Sequence, residues 1–295
     1  MQIVYTKQAL KSALKAHKSQ GKSIGLVPTM GALHAGHISL VNTAKNTCNI
    51  VVASIFVNPT QFNDMSDLEN YPRTFDADCN MLEAANCDIV FAPGINEMYN
   101  ETELSNKQNN IEDNSWMEGK KVDFGHLNEI MEGSHRPGHF NGVAQIVSKL
   151  FRVTEPNKAF FGLKDYQQLA VIKSMTKQLN LPVEVIGCPI VRDANGLAMS
   201  SRNARLTDNE KLTAAFVSQA LLKTKELKTN TTLQDLKRLT LDKIKEEQAI
   251  QLEYLELADA ETLHPIDDNF DNSKQAVACV AYKLGEVRLI DNVIL

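Results

Sequence analysis

Short apolar runs that alternate with segments of helical period are the feature that most restricts how this chain can fold. Five of these runs occupy the first two thirds of the sequence, at residues 23–29, 49–57, 87–93, 158–163 and 182–191. Several are apolar at successive positions, which is typical of strands covered on both faces of a sheet. The segments between them have helical period at residues 38–46, 76–86, 142–153 and 165–179. The alternation predicts crossover units on an open, doubly wound parallel sheet.

The sequence changes in character after about residue 190. Two charged amphipathic helices are predicted near residues 208–227 and 232–250, followed by the strand-like runs LEYLELAD, AVACVAYKL and VRLIDNVIL. A chain of 295 residues is long enough for two domains. We therefore expect a Rossmann-like α/β domain at residues 1–187 and a smaller α+β C-terminal domain at residues 188–295, with a hinge at Gly187 to Pro189.

Two segments outside this alternation also carry predictions. The N-terminal stretch MQIVYTKQALKSALKAHKSQ is typical of a short strand followed by a basic amphipathic helix. Residues 100–128 are rich in Asn, Glu and Lys and have little periodicity, which predicts a long surface excursion.

Composition argues against several classes of function. The formal net charge of −5, without a basic cluster, argues against nucleic acid as a partner, because binding to a polyanion depends on basic side chains. The sequence contains no membrane-length apolar run, and its N-terminus lacks the apolar core of a signal peptide. The five cysteines are scattered and form no CxxC pair, which favours free thiols in a reducing compartment. Cytoplasm is the predicted location.

The stretch LVPTMGALHAGH places two histidines where a buried strand turns into a helix. Ligands of open parallel sheets bind beyond the carboxyl ends of strands, and the first N–H groups of a helix have no partner within it. Gly31 and Gly36 permit close backbone approach, and His34 and His37 lie on the same side of the first turn. Imidazolium groups there could bind phosphate and neutralise a leaving pyrophosphate. Histidines that only cap the helix or pack locally remain an equally open interpretation.

Two further motifs follow predicted strands. Asn58 and Gln61, in SIFVNPTQF, could fix the hydroxyls and carboxylate of a small polar substrate, or could form an Asx turn. In FFGLKDYQQ, Lys164 could bind phosphate, Asp165 could accept from ribose hydroxyls, and Gln168 would point back toward the cleft. The alternative is an acidic first helical turn beside a solvated lysine.

A fourth motif, GLAMSSRN, falls in the smaller predicted domain. Ser200, Ser201 and Arg202 follow a glycine turn and offer three phosphate-binding groups, although serine-rich loops commonly have no such function. Each motif is a weak signal alone, but four together, three of them at the carboxyl ends of predicted parallel strands, are hard to attribute to chance.

Seven stretches occur in an order and spacing shared with a known family: PTMGALHAGH, SIFVNPTQF, YPRT, EGSHRPGHFNGVAQIVSKLF, FGLKDYQQL, VRDANGLAMSSRN and RLIDN. On these stretches the chain resembles the pantoate–β-alanine ligases, members of the HxGH-bearing nucleotidylyltransferase superfamily. The resemblance runs from the first predicted strand to the last residue. It implies an enzyme that joins the carboxylate of pantoate to the amine of β-alanine with ATP and Mg²⁺, through a pantoyl adenylate, releasing AMP and pyrophosphate. It also implies a homodimer.

The resemblance assigns residues to the nucleotide half of such a site. His37, His34 and Lys164 would be catalytic, with His37 stabilising the leaving pyrophosphate. The smaller domain would act as a lid over the phosphates. The expected ATP-binding residues are Met30, Gly31, Ala32, Leu33, His34, Ala35, Gly36, His37, Gly162, Leu163, Lys164, Asp165, Val191, Met199, Ser200, Ser201 and Arg202.

The resemblance also places the other substrates and the metal. Pantoate is expected at Gln61 and Gln168, supported by Asn58, and β-alanine at Gln61. Mg²⁺ would be held through ATP oxygens and water without a dedicated protein site, with Asp76 or Asp78 as weaker candidates.

Some residues depart from the family pattern or invite a different interpretation. Leu163 stands where relatives commonly have an acidic or amide residue, and Asn141 replaces a frequent basic residue. His135 and His139 suggest a metal site, but Pro137 and the glycine after it break the spacing of an i,i+4 ligand pair, so zinc is not expected.

Two alternative functions are compatible with parts of the sequence. A related nucleotidylyltransferase that transfers a nucleotidyl group to a phosphorylated acceptor would also need the HxGH turn, but not the amides of NPTQF and KDYQQ. A non-catalytic nucleotide-sensing module would have no need of His37, Lys164 and the Ser-Ser-Arg loop together.

Overall fold

The structure, a computed structural model, describes residues 1–62, 65–108, 115–228, 231–267, 270–271 and 273–295. Its larger sheet contains strands β1 to β6, at Gln2–Val4, Ile24–Thr29, Ile50–Ile55, Ile89–Phe91, Lys158–Gly162 and Glu184–Cys188. Their order is β1-β4-β3-β2-β5-β6, and every neighbouring pair is parallel. A second, antiparallel sheet contains β7 to β9, at Ile250–Asp259, Ala276–Leu284 and Val287–Ile294.

Helices cover the faces of these sheets. In the described residues they are α1 to α11, at Lys7–Ser19, Ala35–Thr47, Met65–Glu69, Phe75–Ala84, Ile95–Met98, Glu101–Gln108, Met131–His135, His139–Thr154, Tyr166–Gln178, Asp208–Leu227 and Leu233–Lys245. Successive strand residues enter different cores: Leu26 and Val52 pack on one face of the larger sheet, and Val27 and Val51 on the other. Burial on both faces explains why these strands are continuously apolar.

The larger sheet opens beside its central strand, β2. The pairing of β2 with β3 runs from Ile24 to Thr29, whereas its pairing with β5 includes only Gly25 and Leu26. Pro28, which has no N–H to donate, lies in the part of β2 that has separated from β5. Chain connections leave β2 toward β3 on one side and reach β5 on the other, so a crevice forms where the strand order reverses.

The smaller sheet packs between two layers. Residues of β8 alternate, with Val277 and Cys279 in the main core and Val280 and Tyr282 packed with α10 and α11. The period of two along a strand therefore joins the C-terminal part of the chain to the larger sheet.

The predicted fold class is confirmed: a doubly wound parallel sheet precedes a smaller α+β unit. The division of the chain at residue 187 stays a prediction. Gly187 lies inside β6 opposite Phe161, and the strand ends at Cys188, so a hinge in this segment would begin at Pro189.

The predicted surface excursion at residues 100–128 is wrong for much of its length. Trp116, Met117, Phe124 and Leu127 are buried in the main core, and the buried Glu103 carboxylate pairs with a lysine of α8 at 2.6 Å. The apolar residues are too irregularly spaced to give a periodic signal, because short turns and not a long helix present them to the core. Residues 109–114 lie outside the described residues.

All five cysteines are free, as their spacing predicts. Burial raises the pKa of the Cys279 thiol to about 12. None of the helices in the described ranges combines the length and hydrophobicity needed to span a bilayer.

Close packing of α8 against the turn after β3 gives a test of the fold. A Cβ added at Gly142 would lie 2.3 Å from the backbone oxygen of Thr60. We expect Gly142→Ala to lower the free energy of unfolding by about 1–3 kcal/mol, because backbone cannot yield as a side chain does. Gly94→Ala is the matched control, since nothing lies within 4 Å of that Cβ. Denaturant melts of both variants measure the difference, and equal stabilities would contradict the packing.

Candidate active site

A cleft of about 1220 Å³, partly open to solvent, lies at the crevice between β2 and β5. Four separated segments meet there: the turn after β2, the turn after β3, the turn after β5, and the loop before α10. The predicted residues that line it are Met30, His34, Gly36, His37, Asn58, Gln61, Gly162, Lys164, Asp165, Gln168, Val191, Met199, Ser200, Ser201 and Arg202. The remaining predicted ATP-binding residues, which do not line the cleft, are Gly31, Ala32, Leu33, Ala35 and Leu163.

Asp78 holds the turn that follows β2. Its buried carboxylate accepts from the backbone N–H groups of Ala32 at 2.9 Å and Leu33 at 2.8 Å, and from the Thr74 hydroxyl at 3.0 Å. Ala32 has a positive φ of 48°, a conformation that needs such external support. Asp78 therefore positions the turn, and three hydrogen bonds occupy the carboxylate proposed as a weaker magnesium candidate. Asp76 is exposed on α4.

His34 and His37 cap α2 through their own ring nitrogens. The Nδ1 atom of His34 accepts from the N–H of Gly36 at 3.1 Å, and the Nδ1 atom of His37 accepts from the N–H of His34 at 3.3 Å. The ring centroids are 4.1 Å apart. An accepting Nδ1 fixes the neutral tautomer, in which Nε2 carries the proton. Capping and ligand binding are therefore compatible, because capping leaves both Nε2–H groups available as donors.

The histidines are neutral, which corrects the expected imidazolium pair. Burial, followed by the charge of Lys164, lowers the pKa of His34 to about 4. Burial, the neighbouring His34 and then Lys164 lower the pKa of His37 to about 3. At neutral pH these residues can donate hydrogen bonds but contribute no positive charge. The cations that line the cleft are Lys164 and Arg202.

The amides after β3 belong to a buried hydrogen-bond network. The Asn58 side chain accepts from the Tyr99 hydroxyl at 2.7 Å and donates to Gln61 Oε1 at 3.1 Å and to the Gly142 carbonyl at 3.2 Å. The Asx turn considered from the sequence is present as well, since Asn58 Oδ1 accepts from the N–H of Thr60. Asn58 thus orients Gln61 from behind, and both residues line the cleft.

The turn after β5 is fixed from the smaller sheet. Asn292, on β9, donates through Nδ2 to the backbone oxygens of Leu163 at 2.9 Å and Lys164 at 2.8 Å. The Leu163 side chain lies against Gly187 of β6, and Lys164 reaches the cleft with its Nζ 3.7 Å from Asp165. Asn292 belongs to the RLIDN motif, to which the sequence assigned no role.

The Ser-Ser-Arg loop contacts the first half of the chain directly. The Ser201 hydroxyl donates to the Ala32 carbonyl at 2.9 Å, and Arg202 donates to the Asp67 carboxylate at 2.7 Å. The Arg202 guanidinium also lies 6.0 Å from the ring centroid of Tyr71, which is buried. Sequence reasoning missed Tyr71 and Asp67 as parts of the site. The YPRT motif signalled the tyrosine, whereas no motif contains the aspartate.

Sequence reasoning also missed an apolar wall. Val143, Ile146, Val147 and Leu150 line the cleft from one face of α8. Their helical spacing is visible in the sequence, but it is equally typical of a helix packed in a core. Only the tertiary structure shows that this face of α8 lines the cleft and is not simply packed in a core.

The second histidine pair has other partners. His135 Nδ1 is 2.8 Å from the Met131 carbonyl, and its ring lies 5.3 Å from that of Tyr254. His139 is buried, with Nδ1 2.8 Å from the Gln61 carbonyl and Nε2 3.0 Å from Arg136. In the described part of the chain, no group of three or more His, Cys, Asp or Glu is arranged to hold a metal ion.

Comparison with known proteins gives one consistent result. The model of a family described as pantoate-beta-alanine ligase matches residues 2–294. The chain is 45% identical over 293 residues to pantothenate synthetase of Bacteroides fragilis, covering 99% of this chain and 98% of that protein.

Solved structures agree with the sequence comparison. Pantothenate synthetase from Thermus thermophilus has a TM-score of 0.87 at 38% identity, with 99% of each chain covered. A pantoate-beta-alanine ligase from Francisella tularensis, complexed with beta-gamma ATP and beta-alanine, has a TM-score of 0.78 at 31% identity, covering 100% of this chain and 97% of that one.

The neutral histidines give a spectroscopic prediction. In unliganded protein, we expect long-range ¹H–¹⁵N spectra to show His34 and His37 as Nε2–H tautomers with no titration between pH 5 and 8. His34→Asn and His37→Asn spectra assign the signals. Because their folded pKa values lie below 6.5, the unfolded state binds more protons, so these residues lower stability as pH falls from about 6.5 to 4. A titration midpoint above pH 6 for either ring would contradict the burial.

Proposed function

The chain belongs to the pantoate–β-alanine ligase family, and we propose that the cleft between β2 and β5 is where it carries out the family's reaction. The enzyme joins pantoate to β-alanine with ATP. The observation that supports the assignment of the site is the convergence of four segments on one cleft, whose lining includes amide side chains, two histidines and the cations Lys164 and Arg202.

The first step is activation of the pantoate carboxylate. A carboxylate oxygen attacks the α-phosphorus of ATP, a new P–O bond forms, and the bond to the bridging oxygen breaks so that pyrophosphate leaves with the electron pair. The product is pantoyl adenylate, whose acyl carbon accepts an amine far more readily than a carboxylate does. This step requires alignment and charge compensation and needs no protein nucleophile.

We assign the nucleotide half of the cleft to ATP. His34 and His37 donate from Nε2–H to phosphate oxygens, and Lys164 supplies the positive charge that the neutral histidines lack. Oriented donors of this kind stabilise negative charge as it develops on the leaving group. Met199, Ser200, Ser201 and Arg202 cover the phosphates from the loop before α10, and Val191 and Gly162 lie beside the nucleoside.

We assign the amide half of the cleft to pantoate. Gln61 and Gln168 bind its hydroxyl and carboxylate oxygens, and Asn58 orients Gln61. The α8 wall, with Val143 and Val147, covers its methyl groups. This combination of a few fixed amides with an apolar surface suits a small branched hydroxy acid.

The second step transfers the acyl group to β-alanine. The ammonium group loses one proton to water, the amine nitrogen attacks the acyl carbon, and the C–O bond breaks with release of AMP. The second amine proton leaves as the amide forms. Residues 188–295 would cover the cleft during this step and so protect the adenylate from water.

Further proposals concern the metal, assembly and location. Mg²⁺ fits as a companion of ATP, because the Asp78 carboxylate is occupied by three hydrogen bonds and Asp165 lies beside Lys164. Bound there, it would neutralise phosphate charge. The protein is expected to be a homodimer in the cytoplasm, where its free cysteines stay reduced.

A direct assay tests the proposed function. Purified protein with ATP, Mg²⁺, pantoate and β-alanine should form AMP and pantothenate in equal amounts. When β-alanine is left out and labelled pyrophosphate is added, the protein should catalyse pantoate-dependent exchange of pyrophosphate into ATP. Matched reactions without pantoate, or with EDTA, should show neither. If no pantoate-dependent AMP forms, the proposal is wrong.

The Nε2–H group of His37 can be tested apart from its capping role. His37→Asn keeps an acceptor for the N–H of His34 but has no donor at the Nε2 position. We expect pantoate-dependent pyrophosphate exchange to fall about 10²–10³-fold in kcat, with KM for ATP changed little, because the lost interaction strengthens in the transition state. His37→Gln, which retains a distal amide donor, should recover part of the rate. A rise in KM alone would contradict the assigned role.

A further inference from the structure

A second, smaller cavity adjoins the main cleft. It is partly open to solvent and measures about 400 Å³ with that open space included, so it is roomy enough for one end of a small molecule. Lys164, Asp165 and Gln168 line both spaces. Its other wall is formed by Glu132 and Arg136 with the start of α8. A small molecule in this cavity would therefore lie beside Lys164 and also beside Gln168, which the proposed function assigns to pantoate.

Two charged residues of this wall differ in how completely they are paired. Both carboxylate oxygens of Glu132 are engaged: Arg288 donates to them at 2.6 and 2.8 Å, and the Tyr254 hydroxyl donates at 2.9 Å. Arg136 reaches Glu132 only at 3.5 Å and donates to His139 Nε2 at 3.0 Å, both through Nη1. Within the described residues, its Nε and Nη2 groups make no hydrogen bond. A guanidinium with available donors thus lines the cavity.

The position of Arg136 is fixed relative to Gln61. Burial and the charge of Arg136 lower the pKa of His139 to about 3, so this ring is neutral. Because Nε2 accepts from Arg136, the proton is on Nδ1, which donates to the Gln61 carbonyl at 2.8 Å. One imidazole ring therefore separates the guanidinium from the backbone of a proposed pantoate-binding residue.

The substrates differ in their need for a permanent cation. The carboxylate of pantoate is consumed in the reaction, and the proposed function assigns Lys164 and Arg202, which line the main cleft, to the phosphates of ATP. The carboxylate of β-alanine remains ionised throughout and requires a partner away from the phosphates. An extended β-alanine spans about 5 Å between amine and carboxylate, from ordinary bond lengths.

We propose that Arg136 binds the carboxylate of β-alanine in the smaller cavity and directs its amine toward the acyl carbon held beside Gln61 and Gln168. The assignment rests on the proposed function of the main cleft. A guanidinium suits the role because two of its N–H groups can bind one carboxylate in parallel. Because the separation of Arg136 from Gln61 is fixed, Arg136 would also determine which length of amino acid substrate is accepted.

Comparison of two amines in two enzymes tests the proposal. Arg136→Gln removes the charge while its amide can still donate to His139 Nε2. We expect KM for β-alanine to rise about 10- to 100-fold, the range for loss of a charge-assisted hydrogen bond. The neutral 3-aminopropanamide should be a poor substrate of both enzymes, with kcat/KM differing less than about threefold between them. Arg238→Gln, on the exposed face of α11, is the charge-matched control.

The first half-reaction separates this proposal from the proposed function. Pantoate-dependent pyrophosphate exchange should stay within about threefold of wild type in Arg136→Gln. Equal loss with both amines, or loss of exchange in the variant alone, would overturn the binding role of Arg136. Absence of exchange in wild type would instead contradict the function of the cleft. Should Arg136→Gln unfold, Arg136→Lys should raise the β-alanine KM about tenfold, and an unchanged KM would overturn the proposal.

Discussion

The site depends on the separation of β2 from β5. Two parallel strands that hydrogen-bond along their whole length leave no space between them, but here pairing stops after Leu26 and Ala159. The connection after β2 leads to β3 on one side of this point and the connection after β5 leads to β6 on the other, so no crossover segment covers it. The turns after β2 and β5 thus face each other across a gap, and each delivers its polar residues from a rigid strand.

The smaller sheet supports the site through residues at the end of β9. Asn292 of β9 binds the backbone of the turn that carries Lys164, and the neighbouring Asp291 accepts from Arg192 at 2.6 and 2.9 Å. Asp291 also accepts from the Ser218 hydroxyl of α10 at 2.6 Å. One strand end therefore ties together the loop after β6, the first long C-terminal helix and the turn that carries Lys164. Such buried, fully paired charges favour one arrangement, because leaving either partner alone would be costly.

The charges of the cleft are divided between residues with different tasks. In the proposed mechanism the neutral His34 and His37 orient the phosphates, since each has one ring nitrogen fixed by a backbone N–H group and the other available as a donor. Lys164 supplies charge, and its proximity helps keep the histidines neutral. Arg202 is paired with Asp67, so under the proposed function a phosphate that approached Arg202 would compete with a carboxylate already in place. Binding of ATP in the proposed place would therefore be linked to rearrangement of this ion pair.

The sequence by itself determined the strands, the long helices and the parallel arrangement of the larger sheet, and the motifs shared with the family pointed to many residues of the cleft. Continuous apolar runs indicate burial on two faces, and His34 and Lys164 stand directly after strands, so local order along the chain was sufficient to mark them as candidates. Only the tertiary structure decided the role of Asp78, the tautomers of the histidines, and the burial of Trp116 in a segment without periodicity. It alone brought Arg288 to Glu132, 156 residues away. Pairing over such distances depends on how separate elements pack, and no local pattern encodes it.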